Sequence, residues 1–284
     1  MLLPSVVYYL IFHYGPMYGA VIAFKQFSPF SGIFGSPWVG FQHFKDFYHS
    51  YYFWRLIRNT LSINLLDVIF GFPAPIILAL LLNEVRNQVF KRTVQTITYM
   101  PHFVSLVVVV GLIIDFCSSR GLLNMIVTFF GARPIPFMTT PGLFQPLYVA
   151  SGIWQHIGWG TIIYLAALSG IDPQLYEQAE VDGAGRFRKL LHITLPGLAP
   201  TIVILLILRC GRMMTVGFEK IMLMYNPSVY ETADVISTFV YRKGLLDMSF
   251  SYAAAVGLFN SAISFTLLVI VNWISRRLNE TSLW

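Results

Sequence analysis

Charged side chains are scarce in this 284-residue sequence, at 11% of the residues, whereas 56% are hydrophobic. A soluble domain carries about 25% charged residues, so most of the surface of this chain must face something other than water. The scarcity of charge therefore excludes an ordinary soluble protein and favours lipid as the surrounding medium. The 24 Phe, 15 Tyr and 6 Trp agree with that environment, because aromatic rings collect at bilayer interfaces.

Cysteine is nearly absent, and so are the motifs of catalysis and nucleotide binding. Cys117 and Cys210 lie in or beside apolar segments, which indicates packing rather than a disulfide framework. His13, His102 and His156 are isolated and lack metal-ligand spacing. The sequence contains no Gly-x-x-x-x-Gly-Lys-Ser/Thr phosphate loop and no Ser/His/Asp constellation. We therefore expect no metal site, no cofactor and no enzymatic activity in this chain.

Six segments are long and apolar enough to cross a bilayer, which takes about 20 residues of helix. They cover residues 2–24, 58–82, 92–116, 146–168, 198–216 and 252–274. The first lacks a basic leading region and a small-residue cleavage site, so we interpret it as a membrane span rather than a signal peptide. No linker divides the chain. The sequence predicts an all-α integral membrane protein with one transmembrane domain, residues 1–284.

The basic residues suggest an orientation for these spans. With six spans both termini lie on one side, together with the connections 83–91 and 169–197. That side carries eight of the nineteen Lys and Arg residues: Arg86, Lys91, Arg92, Arg186, Arg188, Lys189, Arg276 and Arg277. Loops rich in Lys and Arg favour the cytoplasm, so we expect both termini to be cytoplasmic.

The net charge of +6 comes from basic residues that occur in small groups between apolar stretches, which suits loops beside anionic lipid rather than nucleic-acid binding.

The connection 169–197 has the densest charge pattern in the chain. Asp172 is a plausible N-cap, and Pro173 suits the first helical turn. Gly183 permits a sharp bend, and Pro196 is expected to mark re-entry into the membrane. The pattern predicts a short amphipathic helix outside the bilayer. From periodicity alone it could dock in a groove of another protein or lie at the interface as a solvated loop helix.

A fixed spacing in this connection favours docking. It reads Glu177-Gln178-Ala179, three residues, Gly183, nine residues, then Ile193-Thr194-Leu195-Pro196. This resembles the EAA motif of the permeases of binding-protein-dependent ATP-binding cassette importers, with Gln178 in place of the usual Ala. The stretch 12–19, Arg58-Asn59-Thr60-Leu61 and the Gly-x-Pro-x-Pro of residues 71–75 extend the likeness to the MalF/LplB-like sugar permeases over nearly the whole chain.

The resemblance implies a type I importer permease fold with a cytoplasmic coupling helix that contacts the ATPase. The residues it assigns to this contact are Glu177, Gln178, Ala179, Asp182, Gly183, Ala184 and Arg186. It implies ATP-driven import of an oligo- or polysaccharide, including acidic uronates such as alginate. The implied partners are a second permease forming a heterodimer, two ATPase subunits that bind ATP and Mg²⁺, and an extracytoplasmic solute-binding protein. The implied location is the bacterial inner membrane.

Polar residues within spans are costly and tend to face a bundle interior or a water-filled path. The candidates for a substrate path are Trp154, Gln155, His156, Arg209, Arg212 and Asn260. Two interpretations stay open for the arginines: contact with an anionic sugar, or pairing with Asp67 or Asp115. Trp154, Trp159 and Tyr164 could stack on sugar rings or simply pack, and Pro73, Pro75 and Pro101 could kink helices around a cavity.

Two other classes of protein compete with the importer permease. An ion-driven secondary transporter would carry inverted repeats and broken helices near the midplane, and the sequence shows no internal repeat. An intramembrane enzyme would need catalytic groups paired at membrane depth, and the polar residues of the spans form no recognisable set. Neither class accounts for the EAA spacing.

Overall fold

The computed structural model describes residues 2–279, which are almost entirely helical. Within this range the only extended pairing is an isolated bridge between Lys25 and Trp38. In chain order the helices are α1 (Leu3–Phe24), α2 (Gly32–Gly35), α3 (Gln42–Tyr48), α4 (Phe53–Glu84), α5 (Gln88–Tyr99), α6 (Leu106–Cys117), α7 (Leu122–Phe129), α8 (Pro141–Ser169), α9 (Pro173–Val181), α10 (Arg186–Cys210), α11 (Phe218–Met224), α12 (Tyr230–Ala233), α13 (Ile236–Tyr241) and α14 (Phe250–Asn279). The predicted all-α class is confirmed.

Five helical stretches of the described chain are long and apolar enough to span a membrane: Leu3–Phe24, Phe53–Glu84, Leu106–Phe129, Arg186–Cys210 and Phe250–Ile274. A further helix, α8, has 29 residues and lies at the position of the fourth predicted span.

The predicted placement of both termini concerns Met1 and residues 280–284, which lie outside the described residues, as does the side chain of Arg277.

The third predicted span, 92–116, is wrong in its start, and the apolar stretch extends beyond its end. The helix α5 ends at Tyr99, a 3₁₀ turn follows over Met100–Phe103, and the apolar stretch begins only at Leu106 and continues to Phe129. Pro101 causes the break, since proline has no N–H to donate and disfavours helix in the residue before it. The helix α5 is therefore a separate amphipathic helix.

The fifth predicted span, 198–216, also needs correction. The helix α10 begins at Arg186 and ends at Cys210, so it passes through Pro196 without a break. Pro196 therefore does not begin a helix. A π-helical turn over Leu190–Thr194 precedes it and leaves room for its ring.

The same arrangement occurs in three helices. The π-helical turns Leu10–Tyr14, Asp67–Gly71 and Leu190–Thr194 each end two residues before a proline, namely Pro16, Pro73 and Pro196. A proline ring inside a helix clashes with the carbonyl group four residues earlier, and in each case that carbonyl belongs to the widened turn. Of the prolines expected to kink a helix, Pro73 follows such a widened turn within a continuous helix, whereas Pro101 lies where a helix ends.

The long helix α8 lies at the centre of the bundle and packs closely on two neighbours. A Cβ atom on Gly158 would overlap the carbonyl oxygen of Thr98 in α5, and one on Gly160 would lie 2.9 Å from the Pro75 ring in α4. The hydroxyl of Thr161 also donates to the carbonyl of Pro75 at 3.3 Å. Small residues let the backbones approach, as at many membrane helix interfaces.

Candidate functional site

A cavity of about 740 Å³ opens between α4, α8 and α10 and reaches the start of α11. Its volume falls within the ~300–1,000 Å³ typical of small-molecule sites. Its polar and charged lining includes Asn64, Asp67, His156, Arg209, Arg212 and Lys220. Three cationic side chains thus face one carboxylate, a formal excess of two positive charges. Such a lining favours an anionic occupant.

The carboxylate of this cavity is already paired. Arg209 of α10 forms an ion pair with Asp67 in the π-helical turn of α4. The same carboxylate abuts Gly71, where a Cβ atom would lie 2.5 Å from its Oδ1 atom. Of the two interpretations left open for Arg209, pairing with Asp67 is therefore realised, although both side chains remain on the cavity wall.

Aromatic and imidazole rings form another part of the wall. The rings of His102 and Trp159 stack with centroids 4.4 Å apart and planes 4° apart. The Nδ1 atoms of His102 and His156 lie 3.1 Å apart, so one ring donates and the other accepts. Trp159 and His156 line the cavity, whereas the Tyr164 ring at its border is buried and packs in a cluster with Leu168 and Leu198. A flat ring next to hydrogen-bonding groups suits the apolar and polar faces of a sugar.

The structure brings together only part of the predicted path. His156, Arg209 and Arg212 line the cavity, whereas Trp154, Gln155 and Asn260 do not. Trp154 is 46% exposed on the outside of α8, and Gln155 is buried with 4% exposed. Consecutive helical residues point about 100° apart, so three neighbours on α8 could not share one face. Asn260 lines a separate, mainly apolar groove beside α13 and α14.

Sequence reasoning did not single out Tyr148 and Lys220, which also line the cavity. Tyr148 precedes the predicted polar cluster of α8 by two helical turns, and Lys220 lies in a connection that carries no span signal. A charged residue in a mixed segment gives no sign of burial from sequence alone, because only the packing of α11 against α6 and α8 places it there. Within the described residues, no group of three or more His, Cys, Asp or Glu could hold a metal ion.

The segment 169–197 forms a short helix, a tight turn and the start of α10. Asp172 caps α9 by accepting from the amide of Gln174 at 2.9 Å, as its position predicts. Tyr176 and Thr194 share a hydrogen bond of 3.0 Å that joins α9 to α10. Lys189 donates to Glu180 at 2.9 Å, and this hydrogen bond together with the ammonium charge lowers the pKa of the Glu180 carboxyl.

The turn after α9 depends on Gly183, whose φ of +72° lies in the left-handed region. The amide of Ala184 donates to the carbonyl of Ala179 at 2.8 Å and closes the turn. Gly183 is exposed and a Cβ atom there would meet nothing within 4 Å, so backbone conformation rather than space selects glycine. The predicted bend at Gly183 is confirmed.

Most of the residues predicted to contact the ATPase are exposed on this segment. Of the seven predicted coupling residues, Glu177, Gln178, Asp182, Gly183 and Arg186 are exposed, and Ala179 and Ala184 are half-buried. Next to them two large apolar side chains are also exposed, Val181 by 89% and Phe187 by 82%. Exposed apolar side chains beside a hydrogen-bonded turn are typical of a surface that docks on another protein.

A helical membrane bundle around a polar cavity, with an exposed helical segment between two of its helices, defines a transport protein of the permease type. Residues 71–280 match the family of binding-protein-dependent transport system inner membrane components, and the chain belongs to that family.

Relatives over the whole chain agree with this assignment. The Bacillus subtilis (strain 168) protein LplB is 46% identical over 285 residues, which covers 100% of this chain and 90% of LplB. The polygalacturonan/rhamnogalacturonan transport system permease protein YteP of the same organism is 45% identical, covering 100% of this chain and 89% of YteP.

Solved structures show the same fold. A chain of a bacterial ATP-binding cassette transporter involved in the import of the acidic polysaccharide alginate superposes with a TM-score of 0.92 at 45% identity, covering 98% of this chain and 94% of that chain. A chain of the bacterial alginate transporter in complex with an alginate pentasaccharide-bound periplasmic protein also gives 0.92 at 44% identity, covering 100% and 95%.

Proposed function

We propose that this chain is a permease subunit of an ATP-driven, binding-protein-dependent importer of acidic oligo- or polysaccharides. The observation that carries the proposal is the cavity between α4, α8 and α10, where three cationic side chains face a single carboxylate. Charge of one sign in a low-dielectric cleft raises the local concentration of the opposite charge. A uronate sugar brings that charge, and its ring faces suit the exposed ring of Trp159.

The relatives support this substrate class. YteP is named for the transport of polygalacturonan and rhamnogalacturonan, and one structural neighbour is involved in the import of an acidic polysaccharide. Each is 45% identical to this chain. The cationic excess of the cavity gives a physical reason for the same preference here.

The segment 169–197 is proposed as the coupling element. The contact surface consists of Glu177, Gln178, Ala179, Asp182, Gly183, Ala184 and Arg186, with Val181 and Phe187 adding apolar area. Docked in a cleft of a cytoplasmic ATPase subunit, α9 would move with that subunit. The hydrogen bond between Tyr176 and Thr194 and the pair Lys189–Glu180 would pass this movement to α10, which carries Arg209 of the cavity.

The proposed assembly contains a second, similar permease, two ATPase subunits and an extracytoplasmic solute-binding protein. ATP and Mg²⁺ are assigned to the ATPase subunits, since this sequence has no phosphate loop. We place the chain in the bacterial inner membrane with both termini and residues 169–197 in the cytoplasm, in line with the distribution of Lys and Arg.

Purification of the tagged chain from its native host in mild detergent tests the assembly. We expect an ATP-binding cassette ATPase and a second permease to be recovered with it, as identified by mass spectrometry. A control sample carrying the tag on an unrelated multi-span protein of the same host should recover neither. Recovery of a stable, folded chain without any ATPase would contradict the proposal.

A further inference from the structure

Lys220 is a buried cation on the wall of the cavity. It lies on α11, with 7% of the residue exposed, and it points at α8. Its Nζ atom donates to the carbonyl oxygen of Tyr148 at 2.9 Å and lies 4.6 Å from the centre of the Tyr148 ring. The ammonium is thus held at one defined place by a carbonyl and an aromatic face.

The helix α8 is shaped to receive this ammonium. A Cβ atom on Gly152 would lie 3.4 Å from Nζ, so a larger residue there would crowd it. The neighbouring Ser151 turns its hydroxyl back to the carbonyls of Leu147 and Tyr148. On the other side, a Cβ atom on Gly217 would lie 2.8 Å from the Tyr148 hydroxyl, so the tyrosine ring is fixed in turn.

The ammonium lacks an anionic partner within the described chain. No carboxylate of residues 2–279 lies within 4 Å of Lys220 Nζ, and Asp67, the carboxylate of the cavity, is paired with Arg209. An ammonium has three N–H donors, of which the Tyr148 carbonyl takes one. Burying a cation without a counter-charge is costly, and a cation on the wall of a polar cavity attracts an anionic ligand.

We propose that Lys220 is a specificity-determining residue of the transport path, whose ammonium binds a carboxylate of the sugar as it passes through the cavity. The inference rests on the proposed function, because it names the group that distinguishes an acidic sugar from a neutral one. The free N–H donors supply a charge-assisted hydrogen bond that a neutral hydroxymethyl group cannot match. Arg212 on the same wall adds positive potential, and Arg209 is engaged by Asp67.

A binding comparison on the purified complex in lipid nanodiscs, without the solute-binding protein, tests this role. Trigalacturonate and the trisaccharide obtained by reducing its carboxyl groups to alcohols are titrated separately, with saturation-transfer difference NMR as the readout. The wild-type complex should bind the acidic sugar more tightly. Lys220→Gln should weaken binding of trigalacturonate about tenfold and leave binding of the neutral sugar unchanged, whereas Lys220→Arg should retain the preference.

The controls separate this role from a structural one. Lys243→Gln removes an equal charge from an exposed pair with Asp247 outside the cavity and should change neither affinity. Equal weakening of both sugars by Lys220→Gln would show that Lys220 only supports the fold and would overturn the inference, as would an unchanged preference. Lack of any preference in the wild type would also overturn it. The purification experiment tests the importer assembly independently of these outcomes, so failure of the Lys220 inference and failure of the proposed function can be distinguished.

Discussion

Asp234 gathers more charged contacts than any other residue in the described part of the chain. Its buried carboxylate accepts from Arg242 through both oxygens, at 2.8 and 2.6 Å, and from Arg55 at 3.1 Å. The hydroxyl of Thr238 donates to it at 2.8 Å, and Asn59 donates to its backbone carbonyl at 2.9 Å. This single residue therefore ties the start of α4 to α13 and the turn before it.

We expect Asp234→Ala to destabilise the chain strongly. Removing one partner of a buried ionic cluster leaves the other charges unpaired and costs about 3–5 kcal/mol. The exposed pair of Asp247 with Lys243 offers a matched control, since such pairs contribute about 1 kcal/mol or less. Thermal unfolding of both variants in the same nanodiscs measures the difference. Equal midpoints for Asp234→Ala and Asp247→Ala would refute the assigned role.

Gly183 lies in the turn after α9, within the proposed coupling element. Its left-handed backbone costs a residue with a Cβ atom about 1–2 kcal/mol, and a β-branched side chain fits it least well. We expect Gly183→Val to distort the turn after α9 and to uncouple ATP hydrolysis from transport, with sugar uptake falling while ATPase activity persists. Uptake and phosphate release measured on the same proteoliposomes give the ratio.

Gly185 supplies the control for this change. It lies two residues away in an extended conformation, and a Cβ atom there would meet nothing within 4 Å. Gly185→Val should therefore keep uptake per ATP near the wild-type value. Normal coupling in Gly183→Val, or equal loss in both variants, would count against a turn-dependent coupling element.

At the scale of helix packing, Gly158 fixes α8 against α5. A methyl group there would overlap the carbonyl oxygen of Thr98, and crowding of this kind costs about 1–3 kcal/mol. Gly158→Ala should lower the unfolding midpoint of the complex. Gly142→Ala in the same helix meets open space and should be neutral or slightly stabilising. If the two variants melt alike, the close approach of α8 to α5 is not as the structure has it.

The elements also show what sequence can and cannot predict. Hydrophobic length placed α1, α4 and α14 to within a few residues of their apolar stretches, because a run of about 20 apolar residues is typical of a helix that crosses a bilayer. Hydrophobic length gave wrong bounds for the predicted spans 92–116 and 198–216, and each contains or adjoins a proline with a different effect on the helix. Pro101 ends a helix, whereas Pro196 follows a π-helical turn and lies inside one.

At the scale of the whole molecule, the same limit applies to the cavity. Spacing predicted the exposed segment at 169–197, since its turn and caps are local. The cavity wall combines residues distant in sequence, and α8 turns His156 toward it while Trp154 and Gln155 point elsewhere. Lys220 also lines the cavity, although it lies in a connection that has no hydrophobic span. Local pattern therefore predicted the turn and the N-cap within residues 169–197, and only part of the cavity wall.

The whole molecule, as proposed, forms the path of an ATP-driven importer of acidic sugars. ATPase activity of the purified complex in nanodiscs with its solute-binding protein, measured with and without trigalacturonate, tests this proposal. We expect hydrolysis to rise severalfold only when both the binding protein and the acidic sugar are present. ATPase activity that responds equally to the carboxyl-reduced trisaccharide, or to neither sugar, would contradict the proposal.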